Sequence, residues 1–166
     1  ELNNNFDDAI KYYEIYLSSK DSDKKKALNN IGSIHLKKNK PKIALEFFLK
    51  SVKYGEDKII TNNILNCYIK LRDISNTDIF FKKAQKIDEN YIEFIFNKAE
   101  YLILKNKIND AIKILEKNKD KPNFLLTLLR LYFNTGQNNE GNKLLKQSMN
   151  QIKNNPVFYN YLGIRS

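Results

Sequence analysis

Residues 29–57, NNIGSIHLKKNKPKIALEFFLKSVKYGED, contain two apolar patterns of helical spacing separated by the polar turn KKNKPK at 37–42. Gly32 lies in the first pattern, and Ala44 and Ser51 lie in the second. Two antiparallel helices approach closely only where small side chains meet, and a bulky neighbour such as Phe48 then fills the space beside them. This stretch therefore predicts a helix, a short turn and a second helix that packs against the first.

The same arrangement recurs along the chain at an irregular spacing. A small residue early in each second helix repeats at separations of 35, 33, 34 and 30 residues: Ala9, Ala44, Thr77, Ala111 and Gly141. The residue one turn later repeats at the same separations: Tyr13, Phe48, Phe81, Leu115 and Leu145. A third column keeps this register: Tyr16, Ser51, Ala84, Asn118 and Ser148. In the first helices, one position repeats at separations of 33, 34, 30 and 34: Gly32, Leu65, Ala99, Leu129 and Gly163. This agreement indicates a repeat of about 34 residues with two helices in each unit.

The rest of the chain follows the same rhythm of apolar helical patterns and short polar breaks. Beyond residue 57, the pattern predicts helices over 58–71, 74–87, 92–105, 108–119, 122–135 and 138–152. With the earlier segments this makes about nine helices, and a tenth is predicted to begin near Pro156. No stretch alternates in the manner of a strand, so the predicted fold class is all-α with about ten helices.

These motifs resemble the tetratricopeptide repeat (TPR) family. The stretch LNNIGSIH…IALEFFLKS matches the family pattern through these residues: Leu28, Ile31, Gly32, Ala44, Phe48 and Ser51. The sequence YNYLG at 159–163 matches the opening of another unit, whereas Leu65 and Leu129 replace the small residue of the family pattern. The resemblance implies a right-handed α-α superhelix, a TPR-like solenoid, in which the first helices line a concave groove.

The predicted organisation is a single TPR-like repeat domain over 1–166. It consists of a partial repeat (1–24), four repeats (about 25–57, 58–91, 92–121 and 122–155) and a second partial repeat (156–166). We expect the chain to be a fragment of a longer repeat protein, because each partial repeat contains one helix without its partner. We also expect self-association through the exposed terminal repeats.

Composition limits the chemistry that the chain can perform. Cys67 is the only cysteine and His35 the only histidine, so neither an intrachain disulfide nor a Cys/His metal cluster can form. The sequence has only five glycines and lacks the phosphate-binding and hydrolase motifs GxxxxGK[ST], GxGxxG, GxSxG and HExxH. No apolar run approaches the roughly 18 residues that a membrane span needs. We therefore predict that the protein is not an enzyme, has no cofactor and binds no metal.

The net charge of +10 permits nucleic acid, an acidic protein or an anionic membrane surface as a partner. The chain is also rich in Asn, Ile and Tyr, whose codons, like those of Lys, are rich in A and T. We interpret the lysines as mainly solvated surface. Most of them fall on second helices and in turns, away from the groove and without the interleaved aromatic residues that stack on bases.

The TPR resemblance implies a non-enzymatic scaffold that binds a peptide or helix of a partner protein in the concave groove. Two alternatives remain open: a basic helical-repeat module that binds RNA, and a targeting or regulatory arm of an enzyme whose catalytic domain lies outside this sequence. A clamp for acidic C-terminal tails, known in some TPR domains, is disfavoured because its cations are missing and Glu93 and Glu100 would repel such a tail.

Asparagines provide the candidate groove residues. Asn30, Asn63 and Asn97 occupy one equivalent position on three successive first helices, with Thr127 in the next unit. An asparagine amide can donate to a carbonyl and accept from an N–H, so a ladder of them could hold a peptide backbone. We expect each asparagine to be partly exposed in the groove. Neighbouring side chains would provide specificity: Asn66, Lys70, Phe96, Glu100 and Arg130.

Overall fold

A computed structural model of the chain describes residues 2–19 and 23–152, and within them every regular element is an α-helix. The helices are α1 (Leu2–Leu17), α2 (Lys24–Lys37), α3 (Pro41–Val52), α4 (Lys58–Leu71), α5 (Ile74–Ile87), α6 (Ile92–Leu104), α7 (Ile108–Lys117), α8 (Pro122–Asn134) and α9 (Asn138–Ile152). From residue 58 onwards the predicted boundaries agree within two residues. The all-α class is confirmed, and the tenth helix predicted near Pro156 lies outside the described residues.

The helix boundaries follow from side-chain capping and from proline. Asp23, Asp57 and Asp73 precede α2, α4 and α5, and each carboxylate accepts a hydrogen bond from the backbone N–H three residues later. Such a cap satisfies one of the amides that a helix N-terminus leaves without a partner. Pro41 and Pro122 begin α3 and α8, where a missing N–H costs nothing.

The chain divides into two compact units, Glu1–Leu104 and Lys105–Ser166. In the described residues the first unit contains α1 to α6 and the second contains α7 to α9. The boundary falls inside the repeat predicted at 92–121, between its two helices. The residues predicted as a terminal partial repeat, 156–166, are outside the described part.

In the first unit, the small-residue column lies where α2 meets α3. A Cβ atom added to Gly32 would stand 2.7 Å from Cε1 of the Phe48 ring, which is closer than van der Waals contact allows. Phe48 is completely buried and packs in one cluster with Ala44, Ile60 and Ile64. The missing side chain of Gly32 is therefore what admits the aromatic ring between the two helices.

A second cluster continues the core of this unit towards α6. It contains Leu65 and Ala84 with Phe94, and the half-buried ring of Phe81 packs on it. The Phe81 ring stacks on Tyr101 at a centroid distance of 4.3 Å. The positions aligned by the repeat are therefore core positions in successive helix pairs.

The second unit also has a contact between a glycine and an aromatic ring, but at other positions of the repeat, since Leu129 and Leu145 stand where Gly32 and Phe48 do. Its core contains Ala111 and Leu115 of α7 and several leucines of α8. The small residue is Gly141 of α9, and a Cβ atom there would stand 2.8 Å from Cε1 of Phe133 on α8. Here the first helix provides the aromatic ring and the second helix provides the glycine.

We expect Gly32→Leu to lower the free energy of unfolding by about 1–3 kcal/mol, because the new side chain and the Phe48 ring cannot occupy the same space. Chemical denaturation followed by circular dichroism measures this loss. Lys37→Leu, an exposed position on the same helix, is the matched control and should change stability little. A neutral Gly32→Leu variant would show that the α2–α3 contact lies elsewhere.

Candidate functional site

The first helices of the first unit, α2, α4 and α6, are linked by asparagine amides. Nδ2 of Asn63 on α4 donates to Oδ1 of Asn29 on α2 at 2.9 Å. Nδ2 of Asn66 donates to Oδ1 of Asn97 on α6 at 3.2 Å. A ladder of amides therefore joins α2 to α4 and α4 to α6. Its bonds join positions that are offset from the predicted column of Asn30, Asn63 and Asn97.

The predicted exposure of Asn97 is wrong. Asn97 is only 2% exposed, and its Nδ2 donates to the backbone carbonyl of Asn62 at 3.0 Å. Asn62 is equally buried, and its own Nδ2 donates to the Lys58 carbonyl within α4. Asn97 lies between α4 and α6 because its amide satisfies buried polar groups there. It holds the two helices together and supports Asn66, and it is not available to a ligand.

The other asparagines of the candidate set are half-buried. Nδ2 of Asn30 donates to the hydroxyl of Tyr13 on α1 at 3.0 Å, so this amide links α2 to the helix before it. The bond between Asn63 and Asn29 uses the nitrogen of one amide and the oxygen of the other. Oδ1 of Asn63 and Nδ2 of Asn29 therefore stand outside that bond, one as an acceptor and one as a donor.

The remaining predicted site residues do not all lie in one unit. Lys70 is exposed near the end of α4, and Phe96 and Glu100 are half-buried on α6. Arg130 is half-buried on α8 in the second unit. Phe96, Glu100 and Arg130 each take part in further polar, ring or electrostatic interactions. The first unit thus contains all the predicted groove residues except Arg130.

An open depression of about 360 Å³ lies where α2 and α4 begin. Sequence analysis identified Asn30 but missed most of the other residues that line it: Asp23, Lys25, Lys26, Asn29, Asp57, Ile59 and Ile60. Nζ of Lys25 lies 2.6 Å from Oδ2 of Asp57 and crosses from one helix to the other. The signal in the sequence was the pair Asp23 and Asp57, helix-capping residues that recur one repeat apart.

The pKa of Asp57 reflects opposing influences in this depression. Partial burial alone would raise the pKa of the carboxyl group, but the hydrogen bonds from Lys25 and from the Ile60 N–H hold it below its ordinary value. The folded state therefore favours the ionised carboxylate. Asp57 caps the N-terminus of α4 and also pairs with Lys25 on α2. The same carboxylate therefore begins one helix and connects it to the other.

The two residues that could have carried other chemistry are packed into the fold. Cys67 is buried, and burial raises the pKa of its thiol to about 12, so the reactive thiolate is absent at neutral pH. His35 is half-buried and stacks on Phe47 with ring centroids 5.4 Å apart. Burial, followed by the charges of Lys40 and Lys38, lowers the pKa of His35. In the part of the chain that the structure covers, no cluster of His, Cys, Asp and Glu is placed to hold a metal ion.

The lysines of the second helices are exposed, as predicted: Lys50, Lys82, Lys83, Lys86, Lys113, Lys117, Lys143 and Lys146. Several are already near acidic side chains. Nζ of Lys83 lies 2.7 Å from Oε1 of Glu56, and Nζ of Lys113 lies 3.2 Å from Oδ1 of Asp110. None of the helices that the structure describes combines the length and hydropathy required to cross a bilayer.

Successive pairs of helices whose aligned positions form the core define a class, the α-helical repeat proteins. Comparison with known proteins identifies the kind of repeat: residues 25–56 match the model of the tetratricopeptide repeat family. A thermophilic TPR protein of Thermus thermophilus superimposes with a TM-score of 0.75 at 18% identity, over 90% of this chain and 84% of that one.

YrrB, described as a TPR protein with an unusual peptide-binding site, superimposes with a TM-score of 0.54 at 16% identity. The match covers 92% of this chain and 80% of that one. No curated protein matches the sequence. Residues 25–56 thus match a tetratricopeptide repeat, and the chain has a TPR-like solenoid fold.

Asn63 and Asn97, which occupy equivalent positions in the repeat, differ in burial: Asn63 is half-buried and Asn97 is buried. Asn97→Ala should lower the free energy of unfolding by about 1–3 kcal/mol, because it removes the buried hydrogen bonds that the backbone and side-chain oxygens of Asn62 accept. Asn63→Ala removes a half-buried bond and should cost clearly less. Urea unfolding of both variants measures the difference. Equal losses would mean that both amides are structural to the same degree.

The ion pair of Lys25 and Asp57 predicts a pH dependence. Because the folded-state pKa of Asp57 is lowered, its contribution to stability is present above the unfolded pKa of about 3.9 and is lost as the pH falls through the folded value. Lys25→Met should therefore destabilise the chain at pH 7, and its difference from the wild type should shrink in acid. Thermal unfolding between pH 7 and pH 2 tests this, with Lys26→Met as the neighbouring control. A difference that is constant with pH would contradict the assignment.

Proposed function

We propose that this protein is a non-enzymatic scaffold that binds an extended peptide of a partner protein across α2, α4 and α6 of its first unit. The observation that carries the proposal is the amide pair Asn29 and Asn63, whose bond leaves one donor and one acceptor for a ligand. A peptide unit offers one N–H and one C=O. Asn63 Oδ1 would accept from that N–H, and Asn29 Nδ2 would donate to that carbonyl.

The spacing of the ladder suits an extended segment. Packed helices lie about 8–10 Å apart, which corresponds to about three residues of extended chain at roughly 3.3 Å each. The pair Asn29 and Asn63 would hold one peptide unit, and Oδ1 of Asn66 would accept from the peptide further along. Asn97 has a supporting role in this scheme because its bond positions Asn66.

Side chains around the ladder would supply specificity. The depression at the start of α2 and α4 adjoins the Asn29 amide, and Ile59 and Ile60 give it an apolar wall beside Lys26. A side chain of the bound peptide would enter it. Lys70, Phe96 and Glu100 flank the other end of the ladder. YrrB, of the same fold, is described as having a peptide-binding site, which is consistent with this type of ligand.

Nucleic acid is the second candidate, and the net charge of +10 is the observation that favours it. Phosphate binding uses cations whose charge is not already balanced. Lys25, Lys58 and Lys83 each pair with an acidic side chain of a neighbouring element. The surface between α2 and α4 therefore presents amides and the paired charges of Lys25 and Asp57 beside Lys26, which suits a peptide backbone better than a phosphate chain.

Recognition of the backbone can be tested with peptides selected from a random-sequence library on the wild-type protein. N-methylation of the peptide amide that faces Asn63 should weaken binding by roughly two- to twelvefold, because one hydrogen bond is worth about 0.5–1.5 kcal/mol. Asn63→Ala should weaken binding of the unmodified peptide similarly, and the two losses should not add. Isothermal titration calorimetry provides the affinities.

The control is Asn109→Ala, an exposed asparagine on α7 in the second unit, which should leave the affinity unchanged. Selected peptides that bind the Asn63→Ala variant as tightly as the wild type would reject the ladder. Selected peptides insensitive to N-methylation at every position would show that side chains alone are recognised.

A further inference from the structure

Helix α1, which occupies a second-helix position of the repeat, has an exposed apolar face. Tyr12 is 66% exposed and Ile15 is 74% exposed, and Tyr16 beside them is also exposed. Beside this face, α1 contacts α2 through the hydrogen bond of the Tyr13 hydroxyl with Asn30 and the ion pair of Asp7 with Lys38, and the Tyr13 ring lies 5.8 Å from that of Tyr12. Large apolar side chains grouped on one helix face indicate a surface that another element covers.

The internal repeat shows which kind of element covers this face. Positions 9, 13 and 16 of α1 correspond to Ala44, Phe48 and Ser51 of α3, all of which are completely buried. Their cover is α2, because Phe48 fits against Gly32 and the Ser51 hydroxyl donates to the Lys25 carbonyl at 2.7 Å. On α1, Ala9 and Tyr13 are only half-buried and Tyr16 is exposed.

Two further columns agree with this correspondence. Tyr12 corresponds to Phe47, which stacks on His35 of α2, and to Phe80, which packs against Tyr68 of α4. In both helix pairs a first helix holds this aromatic ring. Ile15 corresponds to Lys50, whose ammonium lies 5.2 Å from the Phe47 centroid, so α1 has an apolar residue where α3 has a solvated one. The face of α1 therefore fits a helix of the same type as α2 or α4.

The sequence of residues 156–166, PVFYNYLGIRS, repeats the pattern of α2. Leu162-Gly163 aligns with Ile31-Gly32, so Gly163 provides the small residue that a ring at Tyr13 requires. Charge agrees as well: α1 contains three acidic residues and one lysine, whereas 153–166 contains Lys153 and Arg165 and no acid. These residues lie outside the described part, and only their sequence enters the argument.

We infer that the exposed face of α1 binds residues 156–166 of a second copy of this chain. Such a contact joins two different surfaces, so it is heterologous and builds a ring or an open chain of copies. It uses apolar packing on α1 and does not involve the asparagine ladder, so it stands independently of the peptide-binding proposal.

Light scattering on the full chain over a wide range of concentrations tests the association. The wild type should show a mass that rises with concentration. Gly163→Leu, which overfills the small-residue position, and the double variant Tyr12→Ser with Ile15→Ser should each remain monomeric while keeping the wild-type melting temperature. Ile79→Ser, at a 59% exposed apolar position on α5, is the matched control and should associate like the wild type.

Mixing the two association-defective variants tests whether residues 156–166 are the segment that covers the face of α1. The Gly163→Leu chain retains the α1 face and the Tyr12/Ile15 variant retains residues 156–166, so an equimolar mixture should form a one-to-one dimer that does not grow further. A wild-type chain that is monomeric at every concentration overturns the inference. Association that survives Gly163→Leu also overturns it, because α1 would then be covered by another part of the second copy.

Discussion

The contact between Gly32 and the Phe48 ring is the constraint on which the repeat depends. Because a Cβ at position 32 would lie 2.7 Å from the ring, α2 and α3 reach their observed separation only while that position carries hydrogen. The buried ring then packs against α4 through Ile60 and Ile64, so one contact joins a helix pair internally and also joins it to the next pair. In the second unit a glycine again meets a ring, Gly141 of α9 with Phe133 of α8, but at other positions of the repeat. In both units, therefore, the two helices of a pair approach closely where one of them has a glycine.

Most of the fold could be predicted because apolar periodicity and polar breaks are local properties of the sequence. The predicted windows at 58–71, 74–87 and 138–152 coincide with α4, α5 and α9. Asn97 shows where such prediction fails. The repeat register places it on the same position as Asn30 and Asn63, yet only the rotation of α6 against α4 decides whether that position faces a groove or the neighbouring helix. One residue changes the direction of a side chain by about 100°, and the register of a repeat with irregular length does not specify rotation that finely.

The depression at the start of α2 and α4 shows a second limit of sequence analysis. Its wall combines residues about one repeat apart, and Lys25 reaches Asp57 across the helix boundary. Each residue has an ordinary local role, because Asp57 caps a helix and Ile60 belongs to the core. Only the packing of two helix N-termini side by side makes them a concave surface. A pattern that assigns capping residues correctly can therefore miss the surface that the same residues form together.

The asparagine ladder and the face of α1 are surfaces of opposite chemistry built from the same repeat. The ladder lies among half-buried amides, where a ligand has to supply hydrogen bonds in the right directions to replace those made with water. The face of α1 presents two tyrosine rings and an isoleucine, where burial of apolar area dominates and direction matters less. In a repeat array, each helix pair covers its neighbour with one type of interface. In the association that we infer, an exposed copy of that interface would select a helix of the same repeat, since the α2–α3 contact already defines the shape and the small residue that such a helix must present.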